Sequence, residues 1–231
     1  MNAGGSADSL DAIRADVIAC QACPRLREYC ARVARERSPA HRHDTYWGRP
    51  VPAFGDPAAR LILVGLAPAA HGANRTGRMF TGDVPGGAAD FLMEALHACR
   101  FASQPFSRSA DDGLQLHGLW LTAAVRCAPP QNRPLPEDVR RCAPYLAREL
   151  ALLPETAVVV ALGRLAFDVL FRLLGEGTRP RPRFEHGGIY RLASGRTLVA
   201  SYHPSRQNTN TGKLTQAMLR DVLRQARRLA G

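Results

Sequence analysis

The sequence predicts an α/β fold: a three-layer α/β/α sandwich about a central, mainly parallel, four-stranded sheet, as one domain over residues 1–231. Two observations predict it. Four apolar, branched runs have the length of buried strands: Leu61–Gly65, Leu119–Val125, Ala157–Leu162 and Thr197–Tyr202. Helical patterns separate them, and strand alternating with helix argues a parallel sheet covered on both faces.

The elements follow in order. Residues 1–8 are expected to be disordered. Ser9 can cap a helix in which Leu10, Ile13, Val17 and Ile18 fall at helical spacing. That helix runs into Cys20-Gln21-Ala22-Cys23-Pro24. A second helix over 24–37 ends before Ser38-Pro39. Residues 38–57, rich in proline and glycine and carrying His41 and His43, read as loop. After the first strand, Ala88–Cys99 carries Phe91, Leu92, Ala95 and Leu96 at helical spacing. Glu137–Leu152 opens through Pro136, Arg164–Leu174 follows Gly163, and Lys213–Leu229 closes the chain. His186–Leu192, with Ser194-Gly195 before the last strand, predicts an antiparallel hairpin.

Composition narrows the function. There are 31 basic residues against 20 acidic ones, a net charge of +11, and Lys213 is the single lysine. Such a charge favours an anionic partner, nucleic acid or a membrane surface, although an Arg-rich surface can also reflect genomic base composition. The first ten residues lack the apolar stretch of a signal peptide. No run approaches the roughly 18 apolar residues of a membrane span. The expectation is a cytoplasmic protein with no membrane partner. In that reducing setting the six cysteines read as metal ligands or free thiols rather than disulfides.

In doubly covered parallel sheets, ligands bind outside the carboxyl ends of the strands. Three polar clusters have that position here: Gly65–Gly82, Arg126–Arg133 and His203–Thr211. They are distant in sequence and are predicted to converge in space.

The cysteines form a tight pair, Cys20 and Cys23, and an open pair, Cys127 and Cys142. Four thiolates suit structural zinc or an iron–sulfur cluster. Zinc ribbons usually carry two tight pairs, so the open second pair leans toward a cluster. Cys30 and Cys99 sit inside helical patterns and read as small buried hydrophobes.

The stretch GLAPAAHGANRTGRMFTG, residues 65–82, has neither the Walker pattern GxxxxGK[ST] nor a GxGxxG fingerprint. Its small residues let a ligand approach the backbone closely. Arg75 and Arg78 have the chemistry to grip a phosphate, and Phe80 can stack on a base or sit in the core.

GLAPAAHGANRTGRMFTGD resembles the first active-site motif of the family 5, or type B, uracil-DNA glycosylases of the uracil-DNA glycosylase superfamily. YHPSRQNTNTG resembles the superfamily's His-containing second motif. VRCAPPQNRP is similar to the segment around the family's third cysteine, and the four cysteines have the spacing that holds a [4Fe–4S] cluster in the iron–sulfur branches. The match spans essentially residues 15–229, with three motifs in order.

The resemblance implies a DNA repair enzyme that flips out and hydrolytically excises uracil, and other deaminated bases such as hypoxanthine and xanthine, leaving an abasic site. It implies a cytoplasmic, nucleoid-associated monomer acting on DNA. His203 would donate to the base carbonyl. Asp83 would be the catalytic carboxylate, with a helix N-cap as its plain alternative. Asn132 would bond the base edge or a water. Gly65, Leu66, Ala67, Pro68, His71 and Phe80 would form the base pocket. Arg75, Arg78, Arg126, Arg133, Ser205, Arg206, Gln207 and Asn208 would meet DNA, and Cys20, Cys23, Cys127 and Cys142 would hold the cluster.

The chain departs from the family at two places. Val84-Pro85-Gly86-Gly87 follows Asp83 where the family often has Ser-Gly. Ala123 stands where family 4 enzymes carry an Asn. The missing amide and the apolar first motif imply a broad pocket. A non-catalytic iron–sulfur DNA-binding protein of the same fold is the alternative.

Overall fold

The computed structural model describes residues 8–82, 84–155 and 157–231. Its centre is one mixed sheet. The six strands are β1 (Phe54–Gly55), β2 (Leu61–Gly65), β3 (Leu119–Ala123), β4 (Val158–Leu162), β5 (Ile189–Arg191) and β6 (Thr197–Ser201), in the order β1-β3-β2-β4-β6-β5. The four inner strands are parallel, and the two edge strands run antiparallel to their neighbours. The four expected strands are the inner four; the sheet has six strands rather than four. Strand β5 realises the expected hairpin. Strand β1 lies within the stretch expected to be loop. Two residues beside proline carry no periodic signal, so only pairing with Leu121 and Trp120 makes them a strand.

Alternation along each inner strand divides the core. Leu61, Leu63, Leu119, Leu121, Val158, Val160 and Val199 face one side, against α4 (Ala88–Ala98) and α8 (Gln216–Ala230). Ile62, Val64, Trp120, Val159, Ala161, Leu198 and Ala200 face the other, against α5 (Pro136–Leu152) and α6 (Arg164–Leu174). This is the expected helix–sheet–helix layering. Burying one such aliphatic side chain contributes about 1.5–3 kcal/mol, so these two faces, not the short edges, hold the sheet.

Local signals set the helix ends. In α1 (Leu10–Ala19) the Ser9 Oγ accepts from the Ala12 N–H at 3.0 Å. Helix α2 (Pro24–Glu36) begins with Pro24 at its first turn. Helix α8 begins later than expected, because Thr215 caps it and the Leu214 N–H turns back to the Asn208 carbonyl. Asp8, expected to be disordered, pairs with Arg148 at 2.7 Å; the rest of that stretch lies outside the described residues. Two short helices sit on loops, α3 (Ala73–Thr76) and α7 (Arg206–Asn210). Among the described residues, no helix is long and apolar enough to cross a membrane.

Because β2, β3, β4 and β6 are parallel, their carboxyl ends share one edge of the sheet. The loops carrying Gly65–Gly82, Arg126–Arg133 and His203–Thr211 therefore leave from that edge.

Candidate active site

A cavity of about 90 Å³ lies between the loop after β2 and the loop after β6. Ala67, Pro68 and Phe80 line it from the first loop, His203 and Pro204 from the second, and Ala88 and Ala89 from the first turn of α4. Ala69, Ala73, Met79 and Thr81 complete it. No described lining residue is an amide. The Thr81 hydroxyl is already engaged, donating to the Arg78 carbonyl at 2.9 Å. His203 is therefore the one titratable side chain among the described lining residues. A wider, open depression of about 850 Å³ beside Trp47, Arg49 and Arg75 does not include it.

His203 is held by its surroundings. It follows β6, and its carbonyl accepts from Asn208 Nδ2 at 2.8 Å. Gly163, at the start of α6, packs against it: a Cβ there would lie 3.1 Å from the His203 Cβ, and its φ of +97° is one that glycine tolerates. Burial pushes the imidazole pKa down from its ordinary value. The ring is neutral at neutral pH, with one nitrogen donating and the other accepting.

The loop after β2 is cross-braced. Arg75 donates to the His71 carbonyl at 2.8 Å, to Asp44 at 2.9 Å and to the Gly82 carbonyl at 3.2 Å. Arg78 pairs with Asp112, bonds the Ala110 carbonyl and stacks over Phe54. Asn74, fully buried, donates to the carbonyls of Cys30 and Ala70. Arg75 and Arg78 were expected to project toward DNA. Their guanidinium groups face inward instead, with side-chain exposures of 12% and 6%. Arg126 is likewise buried, in an ion pair with Glu149 at 2.7 Å.

Other expected pocket residues separate. Gly65 backs the ring of Phe80 rather than lining the cavity. Leu66 faces a groove with Pro136, Val139 and Leu165 between α5 and α6. His71 bonds the Tyr46 hydroxyl at 2.9 Å. Asn132 and Arg133 are exposed, on a turn where Gln131 and Asn132 both have positive φ; neither lines the cavity. Ser205 caps α7, accepting from Asn208 N–H, so the polar loop is a short helix with Arg206 and Gln207 exposed. Asp83 lies outside the described residues.

Two features escaped the sequence reading. Asp90, 7% exposed, accepts from Arg108 at 2.8 Å and from the Gly86 N–H at 2.9 Å, bracing Gly86 just before α4. An acidic residue in a first helical turn reads as ordinary dipole complementation, which masks this role. Gly163 was visible only as a helix boundary, since its neighbour His203 is distant in sequence.

Apart from Cys99, which packs in the core beside α4 and α8, the cysteines lie near α5. Cys23, Cys127 and Cys142 share one buried cluster with Cys30 and Val125. Cys23 and Cys142 each feel Cys127 electrostatically, and Cys20 bonds Tyr145, which also feels Cys142. Burial pushes the Cys142 thiol up to about 12 and raises Cys23. The Cys127 thiol is raised first by its bond with Cys30 and then by burial. Among the described residues, no three His, Cys, Asp or Glu side chains stand in the geometry of a metal site.

A cavity lined by alanines, Pro68, Phe80 and His203 at the carboxyl ends of the inner parallel strands marks an α/β protein with its candidate site at the sheet edge. Residues 52–227 match the family model of the Uracil DNA glycosylase superfamily, and the chain belongs to that superfamily. It is 54% identical to the Type-5 uracil-DNA glycosylase of Thermus thermophilus, over 92% of this chain and 94% of the relative. It is 47% identical to the Type-5 uracil-DNA glycosylase of Mycobacterium leprae, over 98% of both chains. Identity to the Type-4 uracil-DNA glycosylase of Archaeoglobus fulgidus is 29%, over 86% of this chain and 82% of that relative.

Proposed function

We propose that this chain excises uracil from DNA by hydrolysis of the N-glycosidic bond, leaving an abasic site. The observation that carries this is the cavity closed by Ala67, Pro68, Phe80 and His203. Reaching a base inside a duplex requires flipping it out, and small walls let the flipped ring lie against backbone. Phe80 offers it a face. As the bond to the sugar breaks, the base keeps the electron pair and the sugar becomes cationic. Neutral His203 donates a hydrogen bond to the base carbonyl, where negative charge develops. Water then adds to the sugar carbon and gives up a proton. We assign Asp83 to steady the sugar cation or to take that proton.

Among the described residues, the cavity carries no side-chain amide to read the edge of one base. We infer that hypoxanthine and xanthine are accepted beside uracil. Asn132, which the motif would put on the base edge or a water, stands on an exposed turn and does not line the cavity.

We further propose a [4Fe–4S] cluster on Cys20, Cys23, Cys127 and Cys142. Cys23, Cys127 and Cys142 share one buried cluster and Cys20 bonds Tyr145 of α5; four thiolates are the donor set such a cluster requires, and loading it would draw them closer than they stand among the described residues. It would tie the α1–α2 junction to the loop after β3 and to α5. Its contribution would be structural, since hydrolysis moves no electrons.

Excision of a labelled base from duplexes holding uracil, hypoxanthine or xanthine tests the reading. Abasic product from wild type, lost with His203→Ala and reduced with Asp83→Asn, is the expected result. No product on any duplex, with DNA binding intact, would make the chain a non-catalytic binding module instead.

A further inference from the structure

With Arg75, Arg78 and Arg126 turned inward, Arg133 and Arg206 are the expected DNA arginines that stay exposed, and further exposed cations are tied to His203 through its neighbours. We propose that Arg164, Arg181 and Lys213 form a cationic arc beside His203 that holds the backbone flanking the flipped nucleotide. The inference rests on the DNA glycosylase reading above.

Contacts and chain neighbours link the three cations to His203. Arg164 directly follows Gly163, the residue packed on His203. Its side chain is 69% exposed and lies 3.5 Å from Asp168. Arg181, 59% exposed, reaches the same carboxylate at 3.1 Å and stacks over Phe171. Phe184, three residues further on, meets the Tyr202 ring at 6.0 Å. Tyr202 is the residue before His203. One stacked partner of its ring is His186, at 4.9 Å, and Lys213 Nζ stands over the ring at 4.9 Å. The Tyr202 N–H also donates to His186 Nδ1 at 3.0 Å, which fixes the column.

Arg164 and Arg181 share the Asp168 carboxylate and Lys213 meets no acid among the described residues, so the three cations are net positive. Two guanidinium groups held by a single Asp keep N–H donors free, and planar forks match phosphate oxygens. The chain's one lysine is placed over an aromatic ring, which orients its ammonium without neutralising it. Phosphate contacts carry no sequence information, which suits an enzyme that must act at lesions in any context.

The test is the salt dependence of binding to a duplex carrying a stable abasic-site analogue. Each phosphate contact contributes a slope of about −0.9 in log affinity against log salt. Replacing Arg164, Arg181 and Lys213 with Gln together should flatten that slope by about 2 to 3, and each single variant by up to about 0.9. In steady-state excision the loss should fall on KM. Asp168→Asn, which frees both arginines, should steepen the slope. Arg224→Gln, on the exposed face of α8, should leave it unchanged. An unaltered slope in the triple variant, or in Asp168→Asn if the triple variant fails to fold, would overturn the proposal. Wild type binding the duplex without any salt dependence would overturn the DNA reading itself.

Discussion

The ring of Phe80 is pressed so closely on Gly65 that a Cβ there would meet the ring's Cζ at 2.7 Å. Phe80 also holds a φ of +58°, unusual for a bulky residue. The cavity wall therefore depends on an absent methyl group. In Gly65→Ala the ring must shift, costing about 1–3 kcal/mol of stability. Displacing a base-facing wall by about 1 Å should lower kcat/KM on the order of 10²-fold. Thermal denaturation and steady-state excision check both. Wild-type values for each would show that Phe80 does not set the wall.

The pH profile of stability should carry the mark of His203. Burial lowers its pKa beneath the ordinary value of about 6.5. The unfolded chain then binds a proton where the folded chain does not, so stability falls as pH drops through the unfolded value. His186 is lowered by burial as well and acts in the same window. His203→Gln should lose less stability than wild type between about pH 7 and about pH 5, measured by denaturant unfolding. Equal losses would contradict a ring whose pKa is lowered by its partly buried setting.

Glu149 and Arg126 are both nearly sealed from solvent, and Thr122 Oγ1 donates to the same carboxylate oxygen at 2.6 Å. Glu149→Gln removes the counter-charge of a buried guanidinium. A cost of about 3–5 kcal/mol is expected in unfolding free energy. The double variant Glu149→Leu, Arg126→Met should recover most of it, because no charge is then left stranded. A double variant no better than the single one would show that packing, not charge, sets the cost.

Asp90 braces the segment next to Asp83 through Arg108 and the Gly86 N–H. If Asp83 is the carboxylate proposed above, Asp90→Ala should lower kcat on the order of tenfold, since small misplacement of such a group is costly. KM should change little, because Asp90 does not line the cavity. A loss confined to KM would assign Asp90 to substrate binding instead.

The inner strands were legible because each is buried on both faces and so carries an unbroken branched run. Leu61–Gly65 needed no tertiary information to be read. The edges β1 and β5 span two and three residues, partly exposed, and short pieces carry no period. At the site, Ala67, Pro68, Phe80 and His203 line one cavity, while no residue of Arg126–Arg133 does. Leu66 does not, because its neighbours decide which side of the chain meets the cavity.

Local chemistry written along the chain, apolar runs, caps and two motif loops, was enough to specify a layered α/β protein with a histidine at the carboxyl edge of its sheet. The fate of each arginine was not. An arginine reads alike whether it meets phosphate or a carboxylate; Arg75 finds Asp44, and Arg78 finds Asp112 more than thirty residues away. Only folding brings those carboxylates within reach. Two buried guanidinium groups then brace the loop, and Arg164, Arg181 and Lys213 are left facing solvent.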